Sequence, residues 1–445
     1  MDLNRLAEAM GASGGQAVEI RDLAYDTRAV GPGDLFFCIP GSRRDGHELA
    51  SEAVARGAVA LVVERPVDAA VPQLRVVSVR AAMPAAAKTF FGDPSAELTV
   101  SGITGTNGKT TTAFLLHAIL ETAGRRPALL TNIRRLVGGE ERPTGLNTPE
   151  AIDLQRLFRE MLDAGDDACV MEATSIASSQ GRLAGTRFAV LVFTNLTQDH
   201  LDFHGTMDEY FAAKRHLFEQ ADRAVVNVGD EWGRRLAREL PSARTFTPDD
   251  DLGGIGLRLR GRFNRANALG AIAAAEELGV DREAIRAGIE GVAGVPGRFE
   301  SVDAGQPFAV IVDYAHTPDS LENVLRAARE LGPGQLTVVF GAGGDRDREK
   351  RPLMGRAAVT LADRAIVTTD NPRSEDPLEI AREVAADSSC QIVLDRRAAI
   401  ELALGDARAG DVVVIAGKGA DTEIEIAGGN VPFDDRAVAR EVLSS

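Results

Sequence analysis

The sequence predicts an α/β protein of several domains built on mostly parallel sheets. Three observations carry that prediction. An apolar run, Leu98–Val100, leads into the loop Gly102-Ile103-Thr104-Gly105-Thr106-Asn107-Gly108-Lys109-Thr110-Thr111-Thr112, which opens a helical segment, Ala113–Leu120. Strand-like and helix-like segments then alternate along the chain, as in sheets covered by helices on both faces. The length of 445 residues exceeds what a single core holds, so two to four domains are expected.

Taken in order, residues 1–95 read as a small α/β unit. Strand-like runs at Asp34–Ile39 and Val59–Val63 flank a helix-like segment, Glu48–Arg56. Residues 96–296 begin with the glycine loop and carry strands at Cys169–Met171, Phe188–Phe193 and Ala224–Val228. Gly294-Val295-Pro296-Gly297 is a linker. Residues 297–445 form a third α/β unit. Its strands are Ala309–Val312, Leu336–Phe340, Ala365–Thr368, Ile392–Leu394 and Val412–Ala416, and Leu321–Leu331 shows helical apolar spacing.

Bulk properties exclude several classes. A composition of 44% hydrophobic and 26% charged residues is that of a soluble globular protein. No apolar run approaches the ~20 residues that span a bilayer, and Met1–Arg5 lacks the basic-then-apolar order of a signal peptide. A net charge of −16 argues against nucleic acid as a partner. Cys38, Cys169 and Cys390 are far apart and show no metal spacing, so reduced thiols in a cytoplasmic protein are expected.

The glycine loop points to a nucleoside triphosphate. Loop N–H groups and a helix N-terminus face an anion, Lys109 adds a point charge, and the Thr110 hydroxyl reaches Mg2+. Five residues separate Gly102 from Gly108, one more than the general phosphate-loop pattern has. Two further features sit at predicted strand ends, where an α/β sheet delivers ligands. Glu172 ends the Cys169–Met171 run. The stretch Thr194-Asn195-Leu196-Thr197-Gln198-Asp199-His200-Leu201-Asp202-Phe203-His204-Gly205 concentrates two histidines and two aspartates. Singly, Asp199 reads as a helix cap and His200 as a structural histidine; together with the loop and Glu172 they read as a metal–phosphate site. Pattern alone makes Lys214, in Tyr210–Arg215, a solvated lysine.

These motifs, in this order, resemble the Mur ligase family over nearly the whole chain. The likeness rests on Thr104–Thr111, on Thr194-Asn195-Leu196 with Asp199–Asp202 and His204-Gly205, and on Gly261-Arg262-Phe263-Asn264, Gly297–Glu300 and Asp313-Tyr314-Ala315-His316-Thr317-Pro318. Asp26-Thr27-Arg28, Pro32–Phe36, Asp45-Gly46-His47, Gly343–Asp347 and Lys350–Gly355 look like the members that add the third residue to a UDP-muramyl dipeptide. Asp370-Asn371-Pro372-Arg373 looks like the tetrapeptide of those that add meso-diaminopimelate.

The resemblance implies a fold and a set of roles. The fold is an N-terminal UDP-binding domain, a central ATPase-like domain with a parallel sheet and a C-terminal Rossmann-like domain. ATP is the co-substrate, in a pocket made by Gly105, Thr106, Asn107, Gly108, Lys109, Thr110, Thr111, Asn264, Asn267, Arg298 and Asp313. Mg2+ falls to Thr110, Glu172, His200 and Lys214, with Lys214 carried as a carbamate, and Lys109 joins the last three as the catalytic set. The UDP-muramyl substrate falls to Thr27, Asn147, Thr148, Ser175, Gln180 and Arg182. The incoming amino acid falls to Arg351, Asp370, Asn371, Arg373, Gly417 and Asp421. A monomer is expected.

The chain departs from the family in three places. Thr174-Ser175-Ile176 stands where Ser-Ser-His is usual, and Gly417-Lys418-Gly419-Ala420-Asp421 where Gly-Lys-Gly-His-Glu is usual. Asp421 reaches roughly 1.5 Å less than a glutamate. The stretch from Arg244 to Gly261 is also short. Two other readings use the same residues: a paralogue acting on a different carboxylate, and a nucleotide-binding protein without turnover. Intact Lys109, Glu172, His200 and Lys214 argue against the second.

Overall fold

A computed structural model describes residues 1–14, 16–41, 44–386 and 388–444. It is an α/β protein, as the alternation predicted. The chain forms two compact units: Met1–Gly102 with Arg125–Leu191 and Ala213–Arg223, and Ile103–Gly124 with Val192–Ala212 and Ala224–Ser445.

In the first unit, β1 (Leu23–Ala24), β2 (Leu35–Phe37), β3 (Ala60–Val63) and β4 (Gln73–Arg75) form a parallel sheet in chain order. Strand β3 is buried throughout, which its unbroken run of Ala, Leu and Val makes possible. One face packs on the helices Leu3–Met10 and Val79–Phe90 through Leu3, Leu6, Val79 and Met83.

An eight-stranded sheet follows. Its strands are β5 (Thr99–Thr104), β6 (Pro127–Leu130), β7 (Arg135–Val137), β8 (Glu140–Arg142), β9 (Ala168–Glu172), β10 (Val190–Phe193), β11 (Ala224–Asn227) and β12 (Arg244–Phe246). Their spatial order is β12-β11-β10-β5-β9-β6-β7-β8. Strands β6 and β9 are parallel, whereas β6–β7 and β7–β8 are antiparallel, joined at the second step by Gly138-Gly139 in the left-handed region. The sequence reading missed β6, β7, β8 and β12. All three residues of β8 are exposed, as are Arg244 and Thr245 of β12.

The C-terminal part holds β13 (Glu300–Ser301), β14 (Ala309–Asp313), β15 (Leu336–Phe340), β16 (Arg364–Val367), β17 (Gln391–Ile392) and β18 (Val412–Ala416), in the order β13-β14-β18-β15-β16-β17. Only β13 is antiparallel. Strand β18 inserts between β14 and β15, so the carboxyl ends of β14, β18, β15 and β16 lie side by side, where open α/β sheets bind ligands. A hairpin, β19 (Glu423–Ile426) and β20 (Gly429–Pro432), completes the set.

Candidate active site

The phosphate loop leaves β5 and enters the helix Lys109–Thr122, capped by Gly108 at φ 86° with no side-chain cap bond. The loop is fixed by the Thr194–Thr197 stretch. The Asn107 N–H donates to Asn195 Oδ1 at 2.9 Å, and the Asn107 carbonyl accepts from Thr194 Oγ1 at 2.6 Å and Asn195 Nδ2 at 3.0 Å. Thr106 Oγ1 donates to the Thr197 carbonyl at 3.1 Å and lies 3.1 Å from the Tyr210 hydroxyl. Such close packing leaves no room for side chains on the glycines. A Cβ on Gly105 would lie 1.9 Å from Thr194 Oγ1, and one on Gly108 would lie 2.2 Å from Asn267 Oδ1. The Lys109 ammonium donates to the Gly105 and Thr106 carbonyls at 3.0 and 2.8 Å, which keeps its charge in the mouth of the loop.

The predicted nucleotide residues assemble around this loop. Asn264 and Asn267 lie one turn apart on the helix Arg262–Glu277 and bond each other at 3.1 Å. Arg298 Nη2 donates to Thr110 Oγ1 at 3.0 Å, and its guanidinium lies 4.1 Å from the centre of the Tyr314 ring. Asp313, at the end of β14, accepts from the Phe299 and Ala315 N–H groups at 2.6 and 2.7 Å. Burial raises its carboxyl pKa, against the opposing pull of Arg298 and those N–H groups. Thr111 is buried in the first turn of the Lys109–Thr122 helix.

Asp199 is not the helix cap that one reading allowed. His200, in the left-handed region at φ 55°, takes the cap position of the short helix Leu201–His204. Asp199 Oδ1 accepts from the His200 N–H at 3.0 Å and pairs with Lys350 at 3.3 Å, both side chains being buried. His316 Nε2 stands 3.7 Å from Asp199 Oδ2. Burial alone would raise the Asp199 carboxyl, but Lys350, His316 and His200 hold it well below the usual carboxylate range. Asn107 Nδ2 also reaches Asp319 Oδ2, at 2.9 Å, on the helix Pro318–Arg329. The sequence reading missed Lys350 and Asp319 as site residues. Both lie in or beside motifs it singled out, but separations of 151 and 212 residues are not legible in spacing.

In the first unit, Glu172 ends β9 and is 2% exposed. Thr148 Oγ1 donates to the Glu172 carbonyl at 2.8 Å. Arg182 Nη1 donates to the Thr148 carbonyl at 3.2 Å, Nη2 bonds Gln180, and Nε lies 3.1 Å from Glu150, which Arg80 also approaches at 3.2 Å. Thus Thr148, Gln180 and Arg182 come together, with Ser175 buried at the start of the helix Ser175–Ser179. Thr27 is buried and Asn147 is exposed; among the described residues no hydrogen bond ties either to this group. Lys214 corrects the pattern reading. It is 1% exposed, on the face of the helix Met207–His216 that also buries Tyr210 and Phe211. Helical spacing i, i+4 from Tyr210 puts it there.

Of the residues predicted to take the amino acid, Asp370, Asn371, Arg373, Gly417 and Asp421 follow the carboxyl ends of β16 and β18. Gly417 follows β18 at φ 115°, and a Cβ there would lie 2.2 Å from Asp370 Oδ2. That oxygen is buried and, among the described residues, has no hydrogen-bond partner. Asn371 Oδ1 accepts from Lys418 Nζ at 3.1 Å. Burial and the neighbouring Asp370 raise the Asp421 carboxyl, against Lys418. Arg351 is fully buried and its Nη groups fork onto Glu375 and Glu383, while among the described residues its buried Nε has no hydrogen-bond partner. The Arg351 hydrogen bond with Glu375 is the main reason that carboxyl falls to about 2.

Among the described residues, no three or more His, Cys, Asp or Glu side chains cluster as a ready metal site. Of the four predicted ligands, Thr110 and Glu172 offer oxygen, His200 offers nitrogen, and an ammonium at Lys214 offers no lone pair. Carbamylation would turn that ammonium into an oxygen donor of the kind Mg2+ takes.

Residues 19–91 match the model for the Mur ligase family catalytic domain, residues 103–248 the Mur ligase middle domain, and residues 297–419 the Mur ligase glutamate ligase domain. The chain is 46% identical to a UDP-N-acetylmuramoyl-L-alanyl-D-glutamate–2,6-diaminopimelate ligase of Solibacter usitatus, over 96% of this chain and 94% of that one. It is 44% identical to the ligase of the same name from Geobacillus kaustophilus, over 96% and 95%. A solved structure of a ligase of that name superposes with a TM-score of 0.66 at 30% identity, covering 96% of this chain and 95% of that one. The chain therefore belongs to the Mur ligase family, ATP-dependent ligases that join an acid to an amino acid through a carbon–nitrogen bond.

Proposed function

We propose that the protein adds meso-diaminopimelate to UDP-N-acetylmuramoyl-L-alanyl-D-glutamate, the third-residue step of peptidoglycan precursor synthesis, in the cytoplasm and as a monomer. The observation that carries this reading is near-full-length identity to ligases named for that reaction, joined to the tetrapeptide Asp370–Arg373. The absence of any long apolar helix among the described residues is in keeping with it.

In this reading residues 1–95 hold the UDP-muramyl group, 96–296 bind ATP and 297–445 bind the amino acid; the three family matches fall within these limits. Thr27, Asn147, Thr148, Ser175, Gln180 and Arg182 hold the acceptor. The glycine loop from Gly105 to Thr111, with Asn264, Asn267, Arg298 and Asp313, holds ATP. Arg351, Asp370, Asn371, Arg373, Gly417 and Asp421 take the amino acid.

A carboxylate is a poor acyl donor. Transfer of the γ-phosphoryl group to the acceptor carboxylate gives an acyl phosphate, which the neutral amine attacks with loss of phosphate. Lys109 offsets charge on the transferring group. Mg2+, held by Thr110, Glu172, His200 and carbamylated Lys214, would supply further charge neutralisation. What supports the carbamate is the burial of Lys214, which costs an ammonium its hydration. Intact mass measured under native conditions in bicarbonate buffer is expected to show a carbon dioxide adduct on wild type and none on Lys214→Arg; wild type at its unmodified sequence mass would remove the carbamate.

The deciding experiment gives purified protein ATP, Mg2+, the UDP-dipeptide and a panel of amino acids, and follows phosphate release. Release with meso-diaminopimelate well above that with L-lysine is expected. No release with any amino acid would sink the proposal. Release only with another acceptor would indicate a paralogue, which the Ala420-Asp421 departure keeps in view.

A further inference from the structure

The hairpin β19–β20 lies outside every residue group assigned so far, yet it is tied to the tetrapeptide by a ladder of contacts. The Arg373 N–H donates to the Glu425 carbonyl at 3.0 Å, and Arg373 bridges Ile426 in parallel register. The Glu425 N–H donates to Asn371 Oδ1 at 3.0 Å, the same oxygen that Lys418 Nζ reaches at 3.1 Å. Arg373 Nε donates to Glu425 Oε2 at 2.6 Å, and Arg373 Nη1 donates to the Gly344 carbonyl at 2.8 Å.

Arg373 itself sits at φ 51°, in the left-handed region that a side-chain-bearing residue adopts only under strain. The paired hairpin strand is what holds it there. Of the five N–H bonds of a guanidinium, these contacts use the Nε–H and one Nη1–H. They leave the Nη1–Nη2 end of the fork, the geometry that grips a carboxylate through two parallel hydrogen bonds.

We propose that the β19–β20 hairpin is part of the amino-acid site, and that Glu425 is a positioning residue that turns the open end of the Arg373 fork toward the carboxylate of the incoming amino acid. Glu425 does not touch the substrate. It fixes the arginine from behind, so the fork is not reordered when substrate arrives, and preorganisation of this kind appears in affinity rather than in the chemical step. This inference rests on the reading that Arg373 binds the amino acid.

The test measures steady-state kinetics of wild type, Glu425→Ala and Glu425→Gln with meso-diaminopimelate, ATP and the UDP-dipeptide each varied in turn. Glu425→Ala is expected to raise KM for meso-diaminopimelate roughly tenfold, with kcat and the other two KM values within about twofold. Glu425→Gln keeps an acceptor for Nε–H and is expected to recover most of the loss. An unchanged KM for meso-diaminopimelate in Glu425→Ala would overturn the proposal. So would an equal rise in all three KM values with a lowered melting temperature, since that is the mark of a hairpin that only braces the fold. Wild type that turns over no meso-diaminopimelate would instead remove the functional reading beneath it.

Discussion

Lys109→Ala is expected to lower kcat by on the order of 10²–10³-fold, the usual loss when one donor aimed at developing charge is removed. The lysine opens the Lys109–Thr122 helix and bonds the carbonyls of Gly105 and Thr106. The loop's shape, however, is set by Thr194, Asn195 and Thr197, whose contacts with Thr106 and Asn107 do not involve the lysine. The variant should therefore keep its circular-dichroism spectrum and its melting temperature within a few degrees while phosphate release falls. Activity within tenfold of wild type, at saturating ATP, would show that Lys109 does not serve the transferring phosphoryl group.

The largest stability effect is expected at Asp435. Arg396 and Asp435 form a doubly bonded ion pair at 2.6–2.7 Å with side chains 1% and 0% exposed. Arg396 also donates to the Thr369 and Ala416 carbonyls, so it ties β18 and the segment after β16 to the helix Asp435–Leu443. Burial works against its charge, but Asp435 more than compensates and raises the guanidinium pKa. Asp435→Ala leaves a buried cation without its partner, and about 3–5 kcal/mol is the ordinary cost of that. Urea unfolding followed by circular dichroism should show it as a transition shifted to lower urea concentration. The double variant Arg396→Leu/Asp435→Leu should be less destabilised than the single one, because it buries no unpaired charge. A single variant within 1 kcal/mol of wild type would contradict the assignment.

Much of the architecture was legible because its strands are buried on both faces. Val412–Ala416 is an unbroken apolar run and Leu336–Phe340 is apolar but for Thr337, and both are fully buried, as such runs require. Pro127–Leu130 was missed although it is buried throughout, because it is short and opens on a proline; other missed strands are of the opposite kind. Glu140–Arg142 is polar and exposed, and Glu423–Ile426 alternates acidic and apolar residues. Their signals are the dipeptides Gly138-Gly139 and Gly428-Gly429, which mark tight hairpin turns. At the site, the glycine loop and its lysine were readable from local chemistry. Lys214 was not, because a single lysine on a short helix looks solvated until the face it occupies is known. The Asp199–Lys350 pair and the Glu425 contacts depend on residues remote in sequence, and one sequence without relatives carries no trace of such pairings.

The two ends of the eight-stranded sheet have a consequence for how the protein behaves at high concentration. A sheet edge is a row of unpaired backbone donors and acceptors, and it recruits strands from other molecules unless it is spoiled. Here one end is Glu140-Glu141-Arg142 and the other is Arg244-Thr245-Phe246, each three residues long and each charged. Arg244 is further pinned sideways by Glu276. An approaching strand would meet too few rungs to register on and would have to strip water from ionised side chains. With a net charge of −16 acting at longer range, aggregation through sheet extension is discouraged at both margins.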